Sequence, residues 1–102
     1  MKKYNGKILK VIDIKNVSYV IKLSQHSIQR IKERNINNNI IINNILSLDI
    51  INIKDCNNHI IIIDRKNNIS IVASINKYTI TIITVINKSE IFIKEGTEII
   101  NL

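Results

Sequence analysis

The sequence predicts an α+β fold in which two consecutive helices pack on a mainly antiparallel sheet. The chain of 102 residues contains 29 Ile and 5 Leu, and the stiff, β-branched Ile side chain favours strands. Residues 24 to 48 have helical spacing of apolar residues, whereas most of the remaining chain alternates as strands do. The length is typical of one domain, so we expect residues 1–102 to form a single domain.

The first third of the chain predicts two short strands. Lys7–Lys15 and Val17–Leu23 are rich in apolar residues at strand spacing, and Lys15-Asn16 lies between them as a turn. Asn is the expected turn residue here because the chain has only two Gly and no Pro, and Asn tolerates a left-handed backbone. The high content of Ile, Asn and Lys is what an AT-rich genome encodes, so runs of Asn do not indicate a function.

Two helices are expected next. Ser24 is a helix N-cap, and Gln25 to Arg34 are mostly good helix formers. Asn35 comes directly after this helix, at the C-cap, where a residue that tolerates a left-handed backbone is needed. Ile and Leu at helical spacing then predict a second helix from about Asn38 to Leu48, with Asn37 as its cap.

A meander of strands is expected after the helices. The predicted strands are Ile50–Lys54, His59–Asp64, Ile69–Ile75 and Tyr78–Ile86, with turns between them, the last at Asn76-Lys77. Tyr78–Ile86 alternates apolar residues with Thr over part of its length, as a strand with one buried face does. An edge strand at 91–93 and a tail from Gly96 complete the prediction.

The positive charge lies in the first third of the chain. Lys and Arg number 15 against 8 Asp and Glu, a net charge of +7. Residues 1–34 contain nine basic and two acidic residues, which accounts for the whole excess. This asymmetry favours a polyanionic partner, nucleic acid first and an acidic protein second, over a merely solubilising surface.

Several classes of site are absent from the sequence. The single Cys56 excludes an intramolecular disulfide and has no metal-site spacing, which favours a reducing, cytoplasmic compartment. There is no Gly-rich phosphate loop, no pair of catalytic carboxylates and no cluster of His and Cys, so we expect no cofactor and no metal. No export signal is visible, and aliphatic runs such as Ile60–Ile63 are far too short to cross a membrane.

The first helix carries the residues with the most chemistry. His26, Arg30 and Arg34 recur every four residues and therefore line one face of it. Two interpretations remain open. The three side chains form a site, or His26 caps or packs and the arginines hold the helix to the sheet through Glu33, Asp64 or a backbone carbonyl.

Residues 24–36, SQHSIQRIKERNI, resemble the signature S-x-H-A-x-x-R-M-x-x-R-G-I of a family of short bacterial and phage proteins of unknown function. That family is grouped with the RelE and BrnT toxins, within the barnase, EndoU, colicin and RelE ribonuclease-like fold. The resemblance covers about residues 20 to 87, because a second helix and a sheet ending in a strand with Thr84 follow the motif. This chain departs from the family at Ser27, Ile31 and Asn35, which replace Ala, Met and Gly. It also has no basic strand residue near 73–74.

The resemblance implies metal-independent cleavage of RNA, in which the ribose 2′-hydroxyl attacks the adjacent phosphate. On this basis His26 transfers the proton, Arg30 and Arg34 bind the phosphate, and Thr84 completes the catalytic set from the last strand. The expected contacts with nucleic acid are Lys22, Arg30, Lys32 and Arg34. The expected partners are RNA and an acidic antitoxin or immunity protein. The expected location is the cytoplasm, either of the bacterium that makes the protein or of a target cell into which it is delivered.

Two other functions are compatible with the sequence. The chain could be a non-catalytic phage- or plasmid-encoded protein that binds nucleic acid or an acidic host protein through its basic face. Few aromatic residues are available for base stacking, so such binding would depend on backbone phosphates and on salt. The third function is self-association into a homo-oligomer through Ile-rich strands at the sheet edge.

Overall fold

The computed structural model describes residues 7–48, 59–91 and 98–102. Two helices pack on one six-stranded sheet within these residues, as the α+β prediction requires. The elements are β1 (Lys7–Ile14), β2 (Val17–Leu23), α1 (Gln25–Glu33), α2 (Asn38–Leu46), β3 (Ile60–Asp64), β4 (Ile69–Asn76), β5 (Thr79–Ile86) and β6 (Glu98–Asn101). The strand order is β1-β2-β5-β4-β3-β6.

The first two strands form the predicted hairpin. β1 and β2 are antiparallel and are joined by Lys15 and Asn16. These two residues have φ values of 49° and 68°, and positive φ at both loop positions is the signature of a type I′ turn. The twist of this turn matches that of the strands it joins, which explains how a hairpin without glycine at its turn closes in two residues.

The β3, β4 and β5 strands form an antiparallel meander, as predicted. The turn before β5 is one residue later than expected, because Asn76 still pairs with Thr79 and the turn residues are 77 and 78. Lys77 adopts a left-handed φ of 54° there.

The sheet is mixed, and its described strands make three antiparallel and two parallel pairings. β2 lies parallel to β5, and β3 lies parallel to β6. The prediction of a tail from Gly96 was therefore wrong for Glu98–Asn101, which form the edge strand β6. Ile91 belongs to no strand, whereas residues 92–93 and the predicted strand Ile50–Lys54 lie outside the described residues.

The core lies between the helices and one face of the sheet. Strand residues such as Ile21, Ile71 and Ile80 are fully buried and belong to the same cluster as Ile41 and Ile45 of α2. Residues at alternating positions point to the opposite face of the sheet. In β4 and β5 the buried residues Ile71, Ile75, Ile80 and Ile82 belong to this core.

Both ends of α1 have the caps that the sequence predicted. The Ser24 hydroxyl accepts a hydrogen bond from the backbone N of Ser27 at 3.0 Å. At the other end Asn35 has a φ of 55° and its N donates to the carbonyl of Lys32, while the N of Ile36 donates to the carbonyl of Ile31. These two bonds make a Schellman motif, in which the left-handed residue is usually glycine.

We expect Asn35→Ala to destabilise the protein by about 1 kcal/mol, because alanine lacks the local hydrogen bonds that help Asn adopt the left-handed backbone. Asn35→Gly should leave the free energy of unfolding unchanged or raise it slightly. Urea unfolding followed by circular dichroism measures both.

The matched control is Asn39→Ala in the first turn of α2, where φ is not positive. This change should be neutral or stabilising because Ala has the higher helix propensity. Equal effects of the two Ala substitutions would contradict the role given to the left-handed backbone at Asn35.

Candidate functional site

The α1 helix is attached to β5 at the point where β2 ends. β2 pairs with β5 only as far as Leu23 and Ile82, whereas β5 continues to Ile86. The backbone N of Ser24 donates to the carbonyl of Ile82 at 3.0 Å, and its hydroxyl donates to the carbonyl of Ile83 at 2.8 Å. Ser24 therefore caps the helix and also binds the strand that the helix covers.

A β-bulge lies at this attachment point. Ile82 is opposite Ala73, but Thr84 is opposite Val72, so Ile83 is an extra residue in β5. The bulge shifts the alternation of buried residues, with the result that Val85 faces the core and Thr84 does not. The carbonyl of Ile83, which an extra residue would otherwise leave unpaired, is the one that Ser24 binds.

Arg34 makes the second attachment. Its Nη1 donates to the carbonyl of Val85 at 2.6 Å in a partly buried position. This carbonyl lies on the part of β5 that extends beyond the pairing with β2. The sequence left open whether the arginines form a site or hold the helix to the sheet. Arg34 holds the helix to the sheet, through a backbone carbonyl.

His26 and Arg30 lie together on the outer surface of α1. Arg30 Nε is 3.4 Å from His26 Nε2, a long hydrogen bond between an exposed imidazole and a half-buried guanidinium. Because a guanidinium can only donate, Nε2 of His26 is the acceptor in this contact. A charged donor and a proton-accepting group are thus neighbours at the surface.

Glu33 organises the same surface. Its Oε1 is 2.9 Å from Arg30 Nη1, and its Oε2 accepts from Gln29 Nε2 at 2.9 Å. The hydrogen bond from Gln29, followed by the hydrogen bond and positive charge of Arg30, lowers the pKa of Glu33. The ionised carboxylate and the imidazole contact the same guanidinium, so part of the charge of Arg30 is neutralised.

The other predicted site residues are not next to this pair. Thr84 pairs with Val72, and Lys22 pairs with Ile8 and lies beside Thr81, on the sheet face opposite the helices. Lys32 is exposed on α1, but two residues along a helix from Arg30 it points away from it. Of the four predicted catalytic residues, only His26 and Arg30 come together.

Gln29 and Glu33 were missing from the predicted site. Their spacing of four residues is a sequence signal for a side-chain pair on one helix face, and Glu33 was considered only as a partner through which the arginines could hold the helix. The link between Ser24 and Ile83 has no sequence signal, because it depends on where β5 lies in the sheet.

The described residues contain no group of three or more His, Cys, Asp or Glu side chains that could hold a metal ion. Neither described helix is long and apolar enough to cross a membrane. No protein-family model, curated protein or solved structure matches this chain. The resemblance to the RelE and BrnT group therefore stays a prediction.

We expect Arg34→Met to lower the free energy of unfolding by about 1–3 kcal/mol, because it leaves the carbonyl of Val85 without its charged donor. Arg30→Met should change it by no more than about 0.5 kcal/mol, since an exposed helical ion pair contributes little. Chemical unfolding of the two variants under identical conditions tests this difference. Equal losses would mean that Arg34 does not hold the helix.

Ser24→Ala should cost about 1–3 kcal/mol, because it removes the N-cap acceptor and the donor to Ile83 together. The control is Ser18→Ala on the exposed hairpin, where the hydroxyl donates only to Asp13 at 2.6 Å. Thermal and urea unfolding of both variants measure the effect. A loss at Ser24 no greater than at Ser18 would contradict its double role.

Proposed function

We propose that this protein is a metal-independent ribonuclease of the RelE and BrnT toxin type. The observation that carries the proposal is the contact between His26 and Arg30 on the exposed side of α1. RNA cleavage by 2′-hydroxyl attack needs a group that takes up a proton near neutral pH and a cation beside the phosphate. This pair supplies both at one place, and the motif around it supports the same chemistry.

In the proposed reaction Arg30 breaks its contacts with Glu33 and His26 and donates hydrogen bonds to two phosphate oxygens instead. This exchange frees Nε2 of His26 to accept the proton of the 2′-hydroxyl. The 2′-oxygen then bonds to phosphorus, the bond from phosphorus to the 5′-oxygen breaks, and the 5′-oxygen takes a proton from water. The hydroxide that remains takes the proton from His26, which restores the neutral imidazole. The products are a 2′,3′-cyclic phosphate and a 5′-hydroxyl end.

The charge distribution supports RNA as the substrate and an acidic protein as the partner. All of the net charge of +7 is contributed by residues 1–34, the segment that includes β1, β2 and α1. Such an asymmetry accelerates encounter with a polyanion and weakens with added salt. We propose that the protein acts in the bacterial cytoplasm and that an acidic antitoxin or immunity protein restrains it.

We expect the purified chain to cleave single-stranded RNA in EDTA and to leave 2′,3′-cyclic phosphate ends. His26→Ala should reduce the rate by about 100-fold or more, while His59→Ala, at an exposed residue before β3, should not change it. RNA with 2′-O-methyl groups should resist cleavage. Intact RNA at high concentrations of the folded protein would refute the ribonuclease.

A non-catalytic protein that binds nucleic acid is the second candidate. It is favoured by the use of Arg34 to bind the Val85 carbonyl and by the position of Thr84 on the other sheet face. In this case RNA stays intact, yet its affinity falls by about tenfold or more between about 50 and about 200 mM salt. Binding that does not change with salt would count against this candidate.

A further inference from the structure

The first strand lies at one edge of the sheet. β1 has eight residues and pairs with β2 alone among the strands that the structure describes. The strand at the other edge, β6, has only four residues. An edge strand as long as β1 presents unpaired backbone N–H and C=O groups to which a further strand can bind.

The geometry of the hairpin identifies which backbone groups of β1 point away from β2. The pair that closes a two-residue turn, Ile14 and Val17, exchanges hydrogen bonds, and bonded and non-bonded pairs alternate along an antiparallel ladder. Val11 and Asp13 are therefore in non-bonded pairs, so their N–H and C=O groups point to the free edge. Ile12, between them, uses its backbone groups to bind β2.

Apolar side chains are exposed beside these groups. Ile8 and Val11 are 60% and 52% exposed. Val11 lies on the sheet face opposite the helices, because its neighbour Ile12 belongs to the core. Ile8 lies on the same face, since it is opposite Lys22. A strand paired with β1 would cover part of this apolar surface and add main-chain hydrogen bonds.

The charge around the edge determines which kind of strand fits it. Residues 7–23 contain four Lys and one Asp, a net charge of +3. Lys7 and Lys10 are exposed on β1 itself, whereas the carboxylate of Asp13 accepts a hydrogen bond from the Ser18 hydroxyl at 2.6 Å. Opposite charges across a strand pair stabilise it, and like charges destabilise it. The edge is therefore complementary to a strand that carries Asp or Glu.

The same charge opposes pairing between two copies of this chain. Two β1 strands side by side would bring together two hairpins that each carry +3, and lysine on an edge strand is a common means of preventing self-association. The bulge between Ile8 and Lys10 also interrupts the regular ladder. It leaves Lys10–Ile14 as the regular part of the edge, which is long enough for a short partner strand.

We propose that the free edge of β1 binds an extended acidic segment of a partner protein as an additional strand of the sheet. The backbone of this segment pairs with that of Val11 and Asp13, and its apolar side chains contact Ile8. Its carboxylates lie beside Lys7 and Lys10. The segment can belong to the acidic partner of the proposed function, and on that point alone the inference rests on that function. Strand binding itself does not require RNA cleavage.

Solvent exchange of the backbone amides, measured by NMR on the full chain, tests the edge directly. The probe is a peptide of about eight residues with blocked ends that alternates Glu with Val. With about 1 mM peptide, we expect the amides of Val11 and Asp13 to exchange at least about twofold more slowly. The amide of Ile12, already bonded to β2, should not change. Unchanged exchange at Val11 and Asp13 would overturn the proposal.

Charge reversal distinguishes the charge of the edge from the net charge of the protein. Lys10→Glu should weaken binding of the Glu-Val peptide by about threefold or more, and it should strengthen binding of a peptide with Lys in place of Glu. The control is Lys66→Glu, the same change of charge at an exposed position between β3 and β4, which should have a smaller effect. Equal weakening by the two variants would contradict the complementarity given to β1.

Val11→Pro tests the role of the backbone. The change removes an N–H group that points to the free edge and leaves the bonds between Ile12 and β2 in place, since proline is tolerated on edge strands. We expect it to abolish peptide binding while the circular dichroism spectrum is retained. Val11→Thr keeps the N–H group and should still bind. A folded Val11→Pro variant that binds the peptide normally would refute strand addition.

Sedimentation of the full chain without peptide tests a second copy as the occupant of the edge. We expect a monomer, and a dimer that dissociates in Val11→Pro would assign the edge to self-association and overturn the acidic partner. Arg30→Met should bind the peptide as the unaltered chain does. Failure of the ribonuclease and failure of this edge are therefore distinguishable.

Discussion

The attachment of α1 to the part of β5 that β2 leaves unpaired is the interaction on which the arrangement of this protein depends. Two side chains, Ser24 and Arg34, donate to the carbonyls of Ile83 and Val85 on β5, both in partly buried positions. They lie at the two ends of one helix, so the helix cannot rotate without breaking at least one bond. With that rotation set, Ser27 and Ile31 face the core and His26 lies in solvent.

This attachment divides the sequence motif into two parts with different physical roles. Its first residue, Ser24, and its second arginine, Arg34, bind the sheet, whereas His26 and Arg30 meet at the surface. A shared motif can therefore report a shared way of docking a helix as well as a shared reaction. The ribonuclease proposal depends on the outer pair, and it does not need Arg34 in the active site.

Local chemistry explains which parts of the fold were predictable. Residues close in sequence determine the hairpin at Lys15-Asn16, the cap at Ser24 and the left-handed backbone at Asn35. The parallel neighbours, the strand Glu98–Asn101 and the bulge at Ile83 were not predicted, because alternation shows which face of a strand is buried and not which strand lies beside it. For the same reason the sequence could not predict that Arg34 points towards β5 or that Thr84 lies on the sheet face opposite the helices.

The long sequence separation of the helix anchors affects how the chain can fold as it is made. Ser24 and Arg34 are separated from their acceptors on β5 by 59 and 51 residues, respectively. When the helix leaves the ribosome, neither acceptor has yet been synthesised, and a nine-residue helix is marginal without tertiary contacts. The basic segment that contains α1 therefore emerges before β5, beside ribosomal RNA, and α1 stays without its docking strand until β5 has been translated.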